Sequence, residues 1–153
     1  MLRIAVVEDE RSYARSLQAY LEQYGREQKI DVRVDYFADG LSFLEGYSEE
    51  FDAVFLDILM PHMDGLETAR RLRQMDETVP IVFVTTMAQY AIRGYEVSAV
   101  GFIVKPASYE EVALKLDRVR RYSRRQSYPV PWEGGIKLLD LRTIQYAEVY
   151  DHS

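Results

Sequence analysis

Five side chains in this sequence have types that could do chemistry together, and each follows a short apolar run. Glu8 and Asp9 follow IAVV, Asp57 follows AVFL, Thr85 follows IVFV and Lys105 follows GFIV. One acidic residue after a strand is ordinarily a helix N-cap or a solvated loop residue. Three carboxylates, a hydroxyl and an ammonium at the ends of four runs ask for a common explanation. Clustered carboxylates repel one another, and their pKa values rise unless a cation offsets them. The chain has no Cys and only two His, so an all-oxygen donor set selects a hard ion, Mg²⁺ that keeps several waters. Asp57, on the run that reads as the central strand, is the best-placed nucleophile, because a carboxylate can accept a phosphoryl group as an acyl phosphate. That transfer needs charge neutralisation and positioning more than acid–base work. Mg²⁺ and Lys105 would supply the positive charge, and Thr85 a hydroxyl donor.

Such a cluster needs a scaffold, and hydrophobic periodicity supplies one. Residues 3–7, 31–37, 53–56, 81–84 and 101–104 are β-branched or apolar runs that read as strands. The first, third and fourth are nearly continuous apolar, as parallel strands covered on both faces must be. Tyr13, Leu17, Tyr20, Leu21 and Tyr24 recur at helical spacing, closed by Gly25; Leu66, Ala69, Leu72 and Met75 form a second stripe; Val112, Leu116 and Val119 form a third. The third helix starts near Ser108, where Ser-Tyr-Glu-Glu spells a capping box. Shorter helices fit residues 41–47 and 88–95. The tyrosines are given a packing role, and Gly65 is expected to shape the loop after Asp57 by admitting a positive φ. Strand–helix alternation repeated five times predicts a three-layer α/β domain with a five-stranded parallel sheet. In such a sheet, function gathers beyond the carboxyl ends of the strands, where the five side chains lie.

Composition narrows the chemistry further. At 153 residues the chain holds one ordinary domain and a short appendage. The absence of Cys excludes disulfides, a zinc–thiolate site and a catalytic thiol. No apolar run approaches a membrane span and the N-terminus turns acidic within ten residues, so the expected compartment is the cytoplasm. The net charge of −6 argues against nucleic-acid binding by this chain as it stands.

The pieces VVEDE (6–10), FLDILMPHMDG (55–65), VTT (84–86) and GFIVKP (101–106) stand in order, and over roughly residues 2–121 the chain resembles the receiver domain of two-component response regulators. The resemblance implies a doubly wound, flavodoxin-like receiver fold and phosphorylation of Asp57 by a sensor histidine kinase. It implies that Asp9, Asp57 and the backbone carbonyl of Leu59 bind Mg²⁺, with Glu8 acting mainly through water, and that Lys105 pairs with the phosphoryl group. Thr85 and Phe102 occupy the family's two switch positions, and the bond to Pro106 is expected to be cis. Such a domain is a phosphoacceptor with Mg²⁺-assisted self-phosphorylation, not an enzyme with an external substrate. Leu59 and Thr86 depart from the common pattern, where a polar residue and a smaller one are usual, which predicts slow hydrolysis of the phospho-form.

After about Arg121 the character changes. Two Pro and two Gly within residues 128–135 read as a linker, placing domains at 1–121, 122–135 and 136–153. Residues 136–141 and 143–150 read as two strands. Residues 87–106 resemble the receivers of LytTR-type transcription regulators, and residues 136–153 the opening strands of their DNA-binding domain. The chain is therefore expected to be a truncated DNA-binding regulator, touching DNA only through the missing part, and dimerising on phosphorylation through the face at residues 88–101. A pseudo-receiver that never takes phosphate is the rival reading, disfavoured by the complete set Glu8, Asp9, Asp57, Thr85 and Lys105. A phosphatase of the haloacid-dehalogenase type would want Asp at position 59. A flavodoxin would want phosphate-binding hydroxyls where Glu8, Asp9 and Glu10 stand.

Overall fold

The computed structural model describes residues 1–126, 129–132 and 135–138, with side chains for residues 1–122. Five strands, β1 (Leu2–Val7), β2 (Val32–Phe37), β3 (Ala53–Leu56), β4 (Ile81–Thr85) and β5 (Gly101–Val104), form one parallel sheet in the order β2-β1-β3-β4-β5. This is a doubly wound α/β order, with its reversal between β1 and β3. Every residue of β3 is buried, as are those of β4.

Alternation along the strands divides the interior into two cores. Ile4, Val6, Ala53, Phe55, Val82, Val84 and Ile103 pack against α1 (Arg11–Gln28) and α4 (Tyr109–Gln126). Ala5, Val7, Val54, Leu56, Ile81 and Phe83 pack on the other face, against α2 (Gly40–Glu45), α3 (Gly65–Met75) and a 3₁₀ segment, Ala88–Val97. The period of two is the physical cause: successive side chains leave a strand on opposite sides.

Caps fix where the helices begin. Asp39 accepts from Ser42 N at 2.8 Å to start α2, and Asp64 accepts from Glu67 N at 2.9 Å to start α3. At α4, Ser108 N donates to Glu111 Oε1 at 3.1 Å while Glu111 N donates to Ser108 Oγ at 3.2 Å, the reciprocal box read from the sequence. In contrast, Glu10 opens α1 with no side-chain cap.

Two glycines act differently from expectation. Gly25 does not end α1, which runs another turn to Gln28 and is closed by Lys29 at φ 59°. A Cβ at Gly25 would lie 2.8 Å from Val32 Cγ2 and 2.9 Å from Ile30 O, so the missing side chain lets α1 close onto β2. Gly65 serves close approach as well, since its Cβ would sit 2.0 Å from Asp57 O. The positive φ in that loop belongs instead to His62, at 70°. Met75, counted in the apolar stripe of α3, is exposed.

Between residues 122 and 135, α4 continues to Gln126 and β6 (Pro129–Trp132) pairs antiparallel with β7 (Gly135–Leu138). The linker composition therefore hides a hairpin. Prolines two residues apart can turn their missing N–H groups to the same outer edge, leaving the partner side free to pair. The strand expected at 136–141 is described as far as Leu138, and the one expected at 143–150 lies outside the described residues. Among the described residues no helix is long and apolar enough to cross a membrane.

Candidate functional site

The carboxyl ends of β1, β3, β4 and β5 form one rim, and the backbone holds it in register. Glu8 N donates to Phe37 O at 3.0 Å, Asp57 N to Val7 O at 3.0 Å and Lys105 N to Thr85 O at 2.8 Å. Glu8, Asp57 and Lys105 are thus each the first residue past a strand and Thr85 the last of one, all still bonded to the neighbouring strand, while Asp9 lies one residue further out. The Tyr36 hydroxyl donates to Glu8 O at 2.8 Å and fixes the β1 loop further.

Lys105 is the hinge of the side-chain cluster. Its Nζ lies 2.8 Å from Glu8 Oε1 and 3.3 Å from Asp57 Oδ2, and all three residues are buried to nine-tenths or more. Asp57 Oδ1 accepts from Leu59 N at 3.3 Å, and Glu8 Oε2 accepts from Glu10 N at 3.1 Å. Asp9 is exposed, yet one carboxylate oxygen from each of Glu8, Asp9 and Asp57 lies within 4.8 Å of the others. The three acids against one ammonium leave an excess of negative charge. The donor set fits a hard divalent cation: it is all oxygen, partly open through Asp9, and underneutralised.

Burial dominates the electrostatics. It pushes the Glu8 carboxyl up to about 7, helped by the Asp57 charge and opposed by its bond to Lys105. Burial also raises Asp57, against the Lys105 charge and the bonds to Glu8 and Leu59 N. Lys105 is raised although burial alone would lower it, because the Glu8 and Asp57 contacts favour the ammonium. An added cation would favour both carboxylates in their charged form.

The sequence-predicted residues divide by strand face. Continuing the alternation, Glu8, Asp57 and Lys105 stand on the α1/α4 side, and those three are in contact. Thr85 and Phe102 fall on the α3 side: Thr85 is fully buried, its Oγ1 accepts from Met87 N at 3.4 Å, and the half-buried Phe102 ring lies 6.4 Å from Phe83. The Lys105–Pro106 bond is cis. Leu59 and Thr86 are both exposed at the rim.

Sequence reasoning missed Tyr13, whose ring centroid is 3.9 Å from Lys105 Nζ. Its helical spacing alone groups it with the packing tyrosines of α1. Its signal was position: four residues after Asp9, it falls in the first turn of a helix that leaves the acidic loop.

Comparison with known proteins gives these residues a context. Residues 4–117 match the response regulator receiver domain. The chain is 36% identical over 129 residues to the response regulator ArlR of Staphylococcus saprophyticus, covering 82% of this chain and 54% of that one. It is 34% identical to the sensory transduction protein LytT of Bacillus anthracis, across 99% of this chain and 67% of LytT. The chain thus spans about half the length of ArlR and two thirds of LytT. Among solved structures, it resembles the response regulator TrrA of Thermotoga maritima in complex with Mg²⁺–BeF, at 28% identity and TM-score 0.68, covering 78% of this chain and 99% of TrrA. The non-phosphorylated HemR receiver domain of Leptospira biflexa is similar at 31% identity and TM-score 0.66, covering 78% of this chain and 94% of HemR.

Proposed function

The chain belongs to the response regulator receiver family, and from that premise we propose that it accepts a phosphoryl group on Asp57 from a sensor histidine kinase. The observation that carries the reading is Lys105 Nζ reaching both Glu8 and Asp57 inside a cluster of three carboxylates. A plain buried ion pair needs one acid; a second buried acid, with Asp9 at its edge, is costly unless a cation enters. Glu8, Asp9 and Asp57, with the carbonyl of Leu59, would hold Mg²⁺, which when bound supplies positive charge beside the transferred group. Asp57 supplies the attacking oxygen: its O–P bond forms as the donor's bond to phosphorus breaks. Lys105 then pairs with a phosphoryl oxygen. TrrA, described in complex with Mg²⁺–BeF, supports the reading by similarity.

Charge arriving at Asp57 draws on donors, and Thr85 on the neighbouring strand offers a hydroxyl. Its movement toward the phosphoryl group would free space for Phe102 to turn inward, biasing a two-state face. That face includes residues 88–101, through which phosphorylation favours a homodimer. The output is transcription control through a LytTR-type DNA-binding domain, whose opening sequence residues 136–153 resemble, in the cytoplasm. The extent of the LytT similarity, 99% of this chain, supports this assignment. The pseudo-receiver reading has no observation in its favour.

The test is intact mass after incubation with Mg²⁺ and acetyl phosphate, on the parent and on Asp57→Ala. One phosphoryl group gained by the parent alone is the expected result. No gain in the parent, or equal gain in both, overturns it.

A further inference from the structure

Lys105 has three N–H donors and two carboxylate partners, Glu8 at 2.8 Å and Asp57 at 3.3 Å. The Tyr13 ring, 3.9 Å from Nζ, covers another side of the ammonium with its electron-rich face. Beside them lies a cavity of about 130 Å³ lined by Tyr13, Ser16, Tyr20 and Lys105 among others. That volume takes roughly four waters, enough to hydrate an ammonium that let go of the rim.

Both carboxylate partners change during transfer to Asp57. One oxygen of Asp57 forms the new bond to phosphorus while acetate leaves, taking the electron pair of the broken P–O bond. Glu8 would share its charge with a divalent cation when one is bound. The Tyr13 ring carries no charge and takes no part in bonding to phosphorus or to a cation, so neither event removes its contact with Lys105. Building on the phosphoacceptor reading above, we propose that Tyr13 is a positioning residue for this transfer: its ring holds the Lys105 ammonium at the Asp57 edge and keeps it out of the adjoining cavity. Tyr13 itself touches no reacting atom and acts through Lys105.

The phenol hydroxyl has no part in this role, so the aromatic face alone should suffice. The rate of single phosphorylation by acetyl phosphate with Mg²⁺ is read by intact mass on the parent, Tyr13→Phe, Tyr13→Leu and Lys105→Ala, and on the last two combined. Tyr13→Leu should slow the reaction about tenfold, while Tyr13→Phe stays within about twofold of the parent. In the Lys105→Ala background Tyr13→Leu should add nothing. Should Tyr13→Leu fail to fold, Tyr13→Met, equally without a ring, takes its place. A parental rate in the ringless variant overturns the inference, as does Tyr13→Phe being as slow as Tyr13→Leu, or an undiminished effect without Lys105. A parent that gains no phosphoryl group overturns the phosphoacceptor reading and this inference with it; a phosphorylated parent with no effect of Tyr13→Leu overturns the inference alone.

Discussion

Leu59 places an exposed apolar side chain two residues past Asp57, while its own N–H is held by the Asp57 carboxylate. A water attacking the acyl phosphate would cross this surface, and an isobutyl group neither orients nor donates to it. Leu59→Asn should therefore shorten the lifetime of the phospho-form. The expected change is about tenfold, some 1.4 kcal/mol in the barrier, measured as loss of the phosphoryl mass after removal of donor. An unchanged lifetime would assign the slow hydrolysis to Thr86 or to neither. The same residue shows how far residue identity carries. Glu8, Asp9, Asp57 and Lys105 were legible because their types and their places after apolar runs suffice to collect them. The role of Tyr13 was not, because a helical stripe of tyrosines gives no sign of which ring meets a cation.

The end of α3 presents the clearest acid-sensitive joint. Asp76 accepts from the Tyr47 hydroxyl at 2.6 Å, from Thr78 N at 3.0 Å and from Val79 N at 3.1 Å. Burial alone would raise its carboxyl, but these donors hold it below the ordinary 3.8. A depressed carboxyl stabilises the fold above its unfolded pKa, and that contribution fades as pH falls through the folded value. Asp76→Asn should therefore cost ~1–2 kcal/mol near neutrality, and the gap from the parent should close below about pH 4. Denaturant midpoints measured across that range check it; a gap constant with pH would mean that the carboxylate charge contributes nothing. Elements of this kind show where sequence patterns suffice and where they stop. The capping box at Ser108 and Glu111 is local, so four letters specify it. The true end of α1 is not, because Gly25 answers to Val32 and Ile30 across the layer rather than to its own helix. Likewise the segment Ala88–Val97 winds as a 3₁₀ helix, with Val97 and Tyr90 against the α3 core, and an apolar spacing alone does not distinguish that winding from an α-helix.

At the scale of the molecule, stability and function oppose each other at the rim. Two buried acids share one lysine, an arrangement that gains stability when a cation joins it. At about ten times its dissociation constant, Mg²⁺ should add ~1.4 kcal/mol, a rise of a few degrees in the thermal midpoint. A chelator should reverse it, and Asp9→Asn, at an exposed position, should abolish it without unfolding the protein. A rise equal in Asp9→Asn and parent would place the cation elsewhere. The parallel sheet and its covering on both faces were readable from strand–helix alternation, since burial on both faces forces apolar runs. The hairpin of β6 and β7 was not, because its prolines mimic a linker.

The alternation that sorts the interior into two layers also sorts the rim. Glu8, Asp57 and Lys105 sit on one side of the sheet, with α1 and α4 at its back, while Thr85, Phe102 and the 3₁₀ segment sit on the other. On the proposed function, the β-sheet would stand between the phosphoacceptor and the switch residues, with Thr85 reaching across at its edge. If Asp57 takes phosphate, substitutions on the α3 side of the strands, Thr85 apart, would change what the far layer presents while leaving Glu8, Asp57 and Lys105 in place. Modularity of this kind needs no second domain; it is written into the pleat.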